Sequence, residues 1–105
     1  MEFVFIHTMG SIMTEQSMIA SAELGKKLIA DPEGFAPGCK LLATYAGRGK
    51  GMIFCVWEAP NLEALMPGCE QMHLFGWDTE VIPVEKMEVH LDKFAKALEA
   101  VKAGR

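Results

Sequence analysis

His7 is the first side chain with evident chemical potential, and in an extended segment it shares one face with Phe3 and Phe5. An imidazole held among aromatic rings serves as a general base or orients a polar group of an apolar ligand. The plain alternative is a histidine at a strand end that bonds to backbone or water. We predict that His7 is the catalytic or ligand-orienting residue of an apolar site.

A second candidate is the pair Cys69 and His73, which share one face if this segment is helical, because they are four residues apart. A thiolate with an imidazole suits nickel, copper or zinc, with Met66 or Met72 as a thioether ligand. The same pair also suits a nucleophile and its base. The alternative is that neither residue has a functional role, with Cys69 a buried thiol and His73 a surface histidine.

Other side chains favour an apolar pocket over a phosphate site. Tyr45 and Trp57 each combine an apolar ring with a polar tip, although ordinary core packing also explains them. The eight methionines supply adaptable apolar surface in the same way. The glycine-rich segment 47–51 lacks the spacing of a phosphate-binding loop and leads into a strand, so it predicts a hairpin.

The composition limits the classes of protein that remain. The 105 residues suit one domain, and 50% of them are hydrophobic, enough for a core without metal or disulfides. A net charge of −4 disfavours a large nucleic-acid interface. Three cysteines without paired spacing, together with no signal peptide and no membrane-length apolar run, favour a cytoplasmic location.

Local patterns predict seven elements in the order βαββαβ plus a terminal helix. Thr14 is the expected N-cap of the first helix, and Pro83 indicates an edge strand. Pro67 and Gly68 are expected to break or kink the second helix, with one further helical turn at residues 69–74 as an option. The predicted elements are strand 2–9, helix 14–30, strand 39–46, strand 52–58, short helix 61–66, strand 77–84 and helix 86–103.

This order predicts an α+β, ferredoxin-like domain. Its antiparallel sheet has the strand order 4-1-3-2, and both internal helices lie on one face. The expected division is a domain at residues 1–86 and a C-terminal helical extension at 87–105.

The first and third strands are apolar on both faces, whereas a half-solvated antiparallel sheet alternates apolar with polar residues. Two helices cover only one face, so we expect the other to expose Phe5, Met52, Phe54 and Val56. Each of these side chains left in water forgoes roughly 1.5–3 kcal/mol of the stabilisation that burial would give. We therefore predict a homodimer packed sheet to sheet. The alternative is that the terminal helix folds back over this face.

The element order, the two-sided apolar strands, and segments 55–65 (CVWEAPNLEAL) and 80–84 (EVIPV) resemble the dimeric α/β-barrel superfamily. The resemblance covers residues 1 to about 86 and leaves out the terminal helix. It implies a dimeric barrel, but it does not single out one activity. The superfamily includes cofactor-independent monooxygenases, isomerases and cyclases, haem-handling proteins and simple binding proteins.

Some small relatives in this superfamily bind nickel. The resemblance implies that His7, at the end of the first strand, joins ligands near Cys69 and His73. Here a cysteine stands where a histidine is expected, and no Asp or Glu is paired with it.

RNA-recognition domains share the βαββαβ order, with Phe5 and Phe54 then stacking on bases. Met52 replaces an aromatic residue that this function needs, Ile53 replaces a small one, and the chain is acidic.

The sequence therefore predicts a cytoplasmic homodimer that binds a small hydrophobic or aromatic molecule, with cofactor-independent turnover as an extension of that function. The expected ligand-binding residues are Phe5, His7, Tyr45, Met52, Phe54 and Trp57. The alternatives are a soft-metal protein that uses Cys69 and His73 and, less favoured, an RNA-binding module.

Overall fold

The computed structural model of the protein describes residues 1–10 and 13–104. Its strands are β1 (Glu2–Met9), β2 (Lys40–Gly47), β3 (Met52–Glu58) and β4 (Trp77–Val84). Its helices are α1 (Glu15–Ala30), α2 (Pro32–Phe35), α3 (Met66–Leu74) and α4 (Met87–Ala103), and a 3-10 turn at Glu63–Leu65 precedes α3.

The four strands form one antiparallel sheet in the order β2-β3-β1-β4, which confirms the predicted α+β topology. β4 lies at the edge, as Pro83 indicates, because proline cannot donate a hydrogen bond to a further strand. The hairpin between β2 and β3 is also confirmed. Gly49 and Gly51 adopt positive φ angles of 65° and 59° there, which glycine accommodates without strain.

The start of α1 is as predicted, but the segment after it is not a plain loop. The Thr14 side chain caps α1 by accepting a hydrogen bond from the Ser17 backbone N–H at 3.1 Å. Asp31 ends α1 and then caps α2 through a bond from the Gly34 N–H at 3.3 Å. The short helix α2 was missed because proline at its first position favours helix initiation as well as helix termination.

The prediction that Pro67 and Gly68 break a helix is wrong. α3 begins at Met66, and Pro67 occupies its first turn, where a missing N–H costs nothing. Gly68 lies inside α3 and is buried against Phe35, whose ring stacks on Trp57 at a centroid distance of 5.7 Å. The glycine is there because a Cβ would collide with the Phe35 ring.

The core lies between the helices and one face of the sheet, to which Phe3, Phe5 and His7 project from β1. Cys55 and Trp57 of β3 share this face, and Leu28, Phe35, Leu65, Cys69 and Met72 cover it from the helices and the 3-10 turn. The prediction that Phe5 lies on the uncovered face is wrong. Phe5 is 0% exposed, because the residues of β1 that point away from the helices are Val4 and Ile6.

The opposite surface of the sheet, here called the open face, is partly exposed and combines apolar side chains with five charged ones, Glu2, Lys40, Glu58, Asp78 and Glu80. The register aligns Val4 with Val56 and Ile82, and Phe54 with Ile6 and Tyr45. Its apolar members are Val4, Ile6, Ala43, Tyr45, Met52, Phe54, Val56, Ile82 and Val84, none of which is fully buried. Met52, Phe54 and Val56 are therefore confirmed on this face.

The terminal helix does not cover the open face, so that alternative is wrong. α4 buries none of its residues. Its stripe of Met87, Leu91, Phe94, Leu98 and Val101, here called the α4 stripe, is exposed along its whole length. Among the residues that the structure describes, no helix has both the length and the apolar character needed to cross a bilayer.

We expect Gly68→Ala to lower the free energy of unfolding by about 1–3 kcal/mol, because the new methyl group must displace the stacked Phe35 ring. Gly25→Ala is the matched control, since Gly25 is also helical but a Cβ there meets nothing within 4 Å. It should stabilise the protein by about 0.4–1 kcal/mol. Urea denaturation checks both values, and equal effects of the two variants would contradict the steric explanation.

Candidate functional site

A cavity of about 270 Å³ lies between α1 and the helix-facing side of the sheet, and we call it the α1 cavity. Its lining residues come from α1, α3 and all four strands. They are His7, Ser21, Leu24, Gly25, Leu28, Ile29, Thr44, Tyr45, Ala46, Ile53, Cys55, Met72 and Trp77. The cavity therefore occupies the space where core side chains of α1 are expected.

The cavity exists because α1 packs loosely on the sheet. Leu28 is the one buried residue of this sixteen-residue helix, and Gly25 adds no side chain. α1 is instead tied to β4 by a polar contact, in which the Trp77 indole N–H donates to Ser21 Oγ at 2.8 Å. Ser21 in turn donates to the Ser17 carbonyl at 2.7 Å, which orients its hydroxyl.

His7 is the buried polar residue of this region, at 1% exposure. Its Nδ1 lies 2.7 Å from Thr79 Oγ1 on the neighbouring strand β4. Its ring meets the ring of Phe5 edge to face, at a centroid distance of 5.6 Å. Because Thr79 occupies Nδ1, Nε2 is the ring nitrogen that remains for a ligand.

Burial keeps His7 neutral. Desolvation lowers the pKa of His7 from 6.5 to about 4, so the imidazole carries no charge at neutral pH. If Thr79 donates to Nδ1, Nε2 carries the proton and is a donor. If Nδ1 donates to Thr79, Nε2 is an acceptor and a base. Either tautomer presents one hydrogen-bonding atom in an otherwise apolar environment.

The rest of the α1 cavity is uncharged. No Asp, Glu, Lys or Arg is among the described residues that line it. Thr44 Oγ1 and Cys55 Sγ form a hydrogen bond at 3.4 Å. Burial raises the pKa of Cys55, which keeps its thiol protonated. The lining therefore favours a neutral occupant over an ion.

Cys69 and His73 both lie on α3, as their spacing predicts, but they face a shallow outer groove instead of the α1 cavity. This groove is lined by Met66, Cys69, Glu70, His73, Leu74 and Thr79. Burial is the main cause that raises the pKa of Cys69 to about 11, so a thiolate is disfavoured there.

Within residues 1–10 and 13–104, no group of three or more His, Cys, Asp or Glu side chains is placed to hold a metal ion. His7 reaches the outer groove only indirectly, through its contact with Thr79. The nickel, copper or zinc alternative stays a prediction from sequence, with Met66 lining the same groove as Cys69 and His73.

The residues predicted to bind a ligand are separated by the fold. His7 and Tyr45 border the α1 cavity, although Tyr45 is 65% exposed and pairs with Phe54 on the open face. Phe5 and Trp57 are core residues, and the Trp57 indole N–H is buried without a partner among the described residues. Met52 and Phe54 lie on the open face.

Sequence reasoning missed Ser21, Thr44, Cys55 and Trp77 as lining residues. Cys55 had a usable signal, because strand alternation places it on the same face as Trp57. The approach of Ser21 to Trp77 has no local signal, since 56 residues separate them.

No protein family and no curated protein matches this chain. The resemblance to the dimeric α/β-barrel superfamily is therefore still a prediction.

We expect the stability of the protein to fall on acidification because of His7. Between pH 6.5 and about 4 the unfolded chain binds a proton at His7 that the native state excludes. The free energy of unfolding should therefore decrease by roughly 3 kcal/mol over this range and be independent of His7 above it. Denaturation of wild type and His7→Asn at several pH values measures the difference, and identical pH profiles would contradict it.

Proposed function

We propose that this protein binds a small, neutral, apolar or aromatic molecule in the α1 cavity, with His7 as its polar contact. The observation that carries the proposal is the character of the lining. It is apolar over most of its surface and without charged side chains, and it contains one buried neutral imidazole. Pockets of this kind bind through apolar contact and use a few polar groups to orient the ligand.

The volume of the cavity sets the size of the ligand. A dry apolar cavity of roughly 150 Å³ holds benzene. The α1 cavity, at about 270 Å³, has room for a molecule of one or two small rings. Because neutral His7 offers one donor or one acceptor, a single hydroxyl or carbonyl on such a molecule fits the site.

Trp77 supplies a direct readout of occupancy, because it lines the cavity. We expect phenol, titrated with excitation at wavelengths that only tryptophan absorbs, to change the tryptophan fluorescence of the protein in a saturable manner. Gly25→Leu should abolish this response by placing an isobutyl group in the cavity. Glu23→Leu is the matched control on the exposed side of α1 and should bind as wild type does.

The role of His7 has a separate test. His7→Leu should weaken the binding of phenol by roughly tenfold or more, as expected for one lost hydrogen bond in a buried site. Toluene has a similar shape and no hydroxyl, so its binding should change little. Equal effects on phenol and toluene would contradict the assignment of His7 as the polar contact.

The open face supports a second part of the proposal, a homodimer packed sheet to sheet. Its nine apolar side chains are left partly exposed by a fold whose helices all lie elsewhere. An exposed apolar patch of this kind is typical of an interface. A two-fold axis would cover the patch with an identical copy of itself.

We expect Phe54→Glu to produce a monomer, because it places a charge at the centre of the open face beside Ile6 and Tyr45. Leu74→Glu is the matched control, since Leu74 is an exposed apolar residue on α3, on the other side of the sheet. Light scattering after gel filtration reports the mass of each variant. A dimeric Phe54→Glu protein would exclude the sheet-to-sheet arrangement.

A further inference from the structure

The single chain exposes more surface than a folded protein of its size. A compact monomer of 11.5 kDa has about 5,800 Å² of accessible surface, whereas this chain has 7365 Å². The excess of about 1,600 Å² is twice the roughly 800 Å² that each partner contributes to a standard interface. The radius of gyration, 17.2 Å, likewise exceeds the roughly 13 Å of a compact chain of this length.

Much of this excess comes from α4, which extends away from the domain. The longest dimension of the molecule is 61 Å, against 29 and 21 Å for the other two. The α4 stripe runs along one side of the helix, and an ion pair between Lys96 and Asp92, 3.1 Å apart, lies on another side. α4 therefore has a side suited to water and an apolar side without a partner in its own chain.

Polar contacts surround the start of α4. Glu85, just before the helix, accepts a hydrogen bond from Lys93 at 2.6 Å and lies 3.5 Å from His90. The pKa of Glu85 is lowered chiefly by the hydrogen bond from Lys93. This contact therefore links the residue that follows β4 to the first two turns of α4.

The α4 stripe and the open face meet at one cleft. An open cleft of about 860 Å³ lies where α4 leaves the sheet, and both Val84 of the open face and Met87 of the stripe line it. Pro83 and Val89 add further apolar surface to the cleft. Glu2, Glu85, Lys86, His90 and Lys93 also line this cleft, so a partner that covers both the open face and the stripe would meet polar side chains between them.

We propose that α4 is an arm that packs its stripe against a second copy of this chain. We infer a second copy from the area, because the surface that this chain exposes beyond that of a compact monomer is enough for a stable two-fold interface. The inference extends the proposed homodimer by adding a second element to its interface. It is independent of ligand binding in the α1 cavity.

A comparison of Leu98→Glu with Ala100→Glu tests whether α4 packs against a second copy. Both variants introduce one Glu at an exposed position of α4, two residues apart, and 100° per residue puts these positions on different sides of the helix. Leu98 is in the stripe, whereas Ala100 is not. Neither residue is buried in its own chain, so neither substitution should unfold the domain.

Sedimentation equilibrium over a dilution series gives the mass and the dissociation constant. Wild type and Ala100→Glu should have twice the mass of the 11.5 kDa chain. Leu98→Glu should dissociate at roughly thirtyfold higher concentration or more, as for loss of an interface hot spot. Hydrogen exchange should show α4 protected in the dimer and unprotected in Leu98→Glu, with β1 and β3 protected in both.

Two results would overturn the inference. A wild-type monomer throughout the dilution series would show that no second copy covers the stripe. A Leu98→Glu dimer as tight as that of Ala100→Glu would show that α4 lies outside the interface. If Phe54→Glu still dissociates in that case, the sheet-to-sheet dimer stands and the arm alone is excluded. Fluorescence titration with phenol reads the α1 cavity separately, so failure of ligand binding is distinguishable from either result.

Discussion

The organising constraint of this protein is a sheet with two apolar faces and helices on only one of them. β1 and β3 place Phe3, Phe5, Cys55 and Trp57 against the helices, and the alternate residues of the same strands are apolar as well. Strand alternation makes this unavoidable, since successive side chains point to opposite sides. The covered face forms the core. The uncovered face leaves its apolar side chains partly exposed to water in the single chain.

The candidate site lies on the helix-facing side of the same sheet, where α1 does not fully cover the strands. A tightly packed α1 would bring large side chains onto His7 and close the space above it. Instead, α1 is held by the Trp77–Ser21 hydrogen bond and by Leu28, and the space between these contacts is the α1 cavity. The desolvation that keeps His7 neutral comes from the surrounding core, so fold stability and the chemistry of the site are coupled.

The sequence predicted the sheet well because its signals are local. Aromatic and β-branched residues mark β1, β3 and β4, and the apolar stripe spaced three and four residues apart marks α4. The failures involve information that is not local. Pro67 is compatible with a helix break and with a first helical turn, and in the structure it lies in the first turn of α3, where Gly68 is buried against the distant Phe35.

Assignment of strand faces failed for a related reason. Alternation divides Phe5 and Val4 between two faces, but it does not say which face receives the helices. The sequence therefore placed Phe5 on the wrong side, while it correctly grouped His7 with Phe3 and Phe5. Most of the cavity lining was beyond prediction, because contacts such as Ser21 with Trp77 arise only when distant segments fold together.

The length and isolation of α4 have a thermodynamic consequence. A free helix of about this length is only marginally stable in water, because initiation of the first turn is costly and little else offsets it. α4 contributes no buried residue to its own domain, so its order is not supported by the core. If association supplies that support, its coil-to-helix transition is linked to assembly, and the far-ultraviolet circular dichroism signal of the protein becomes a function of protein concentration.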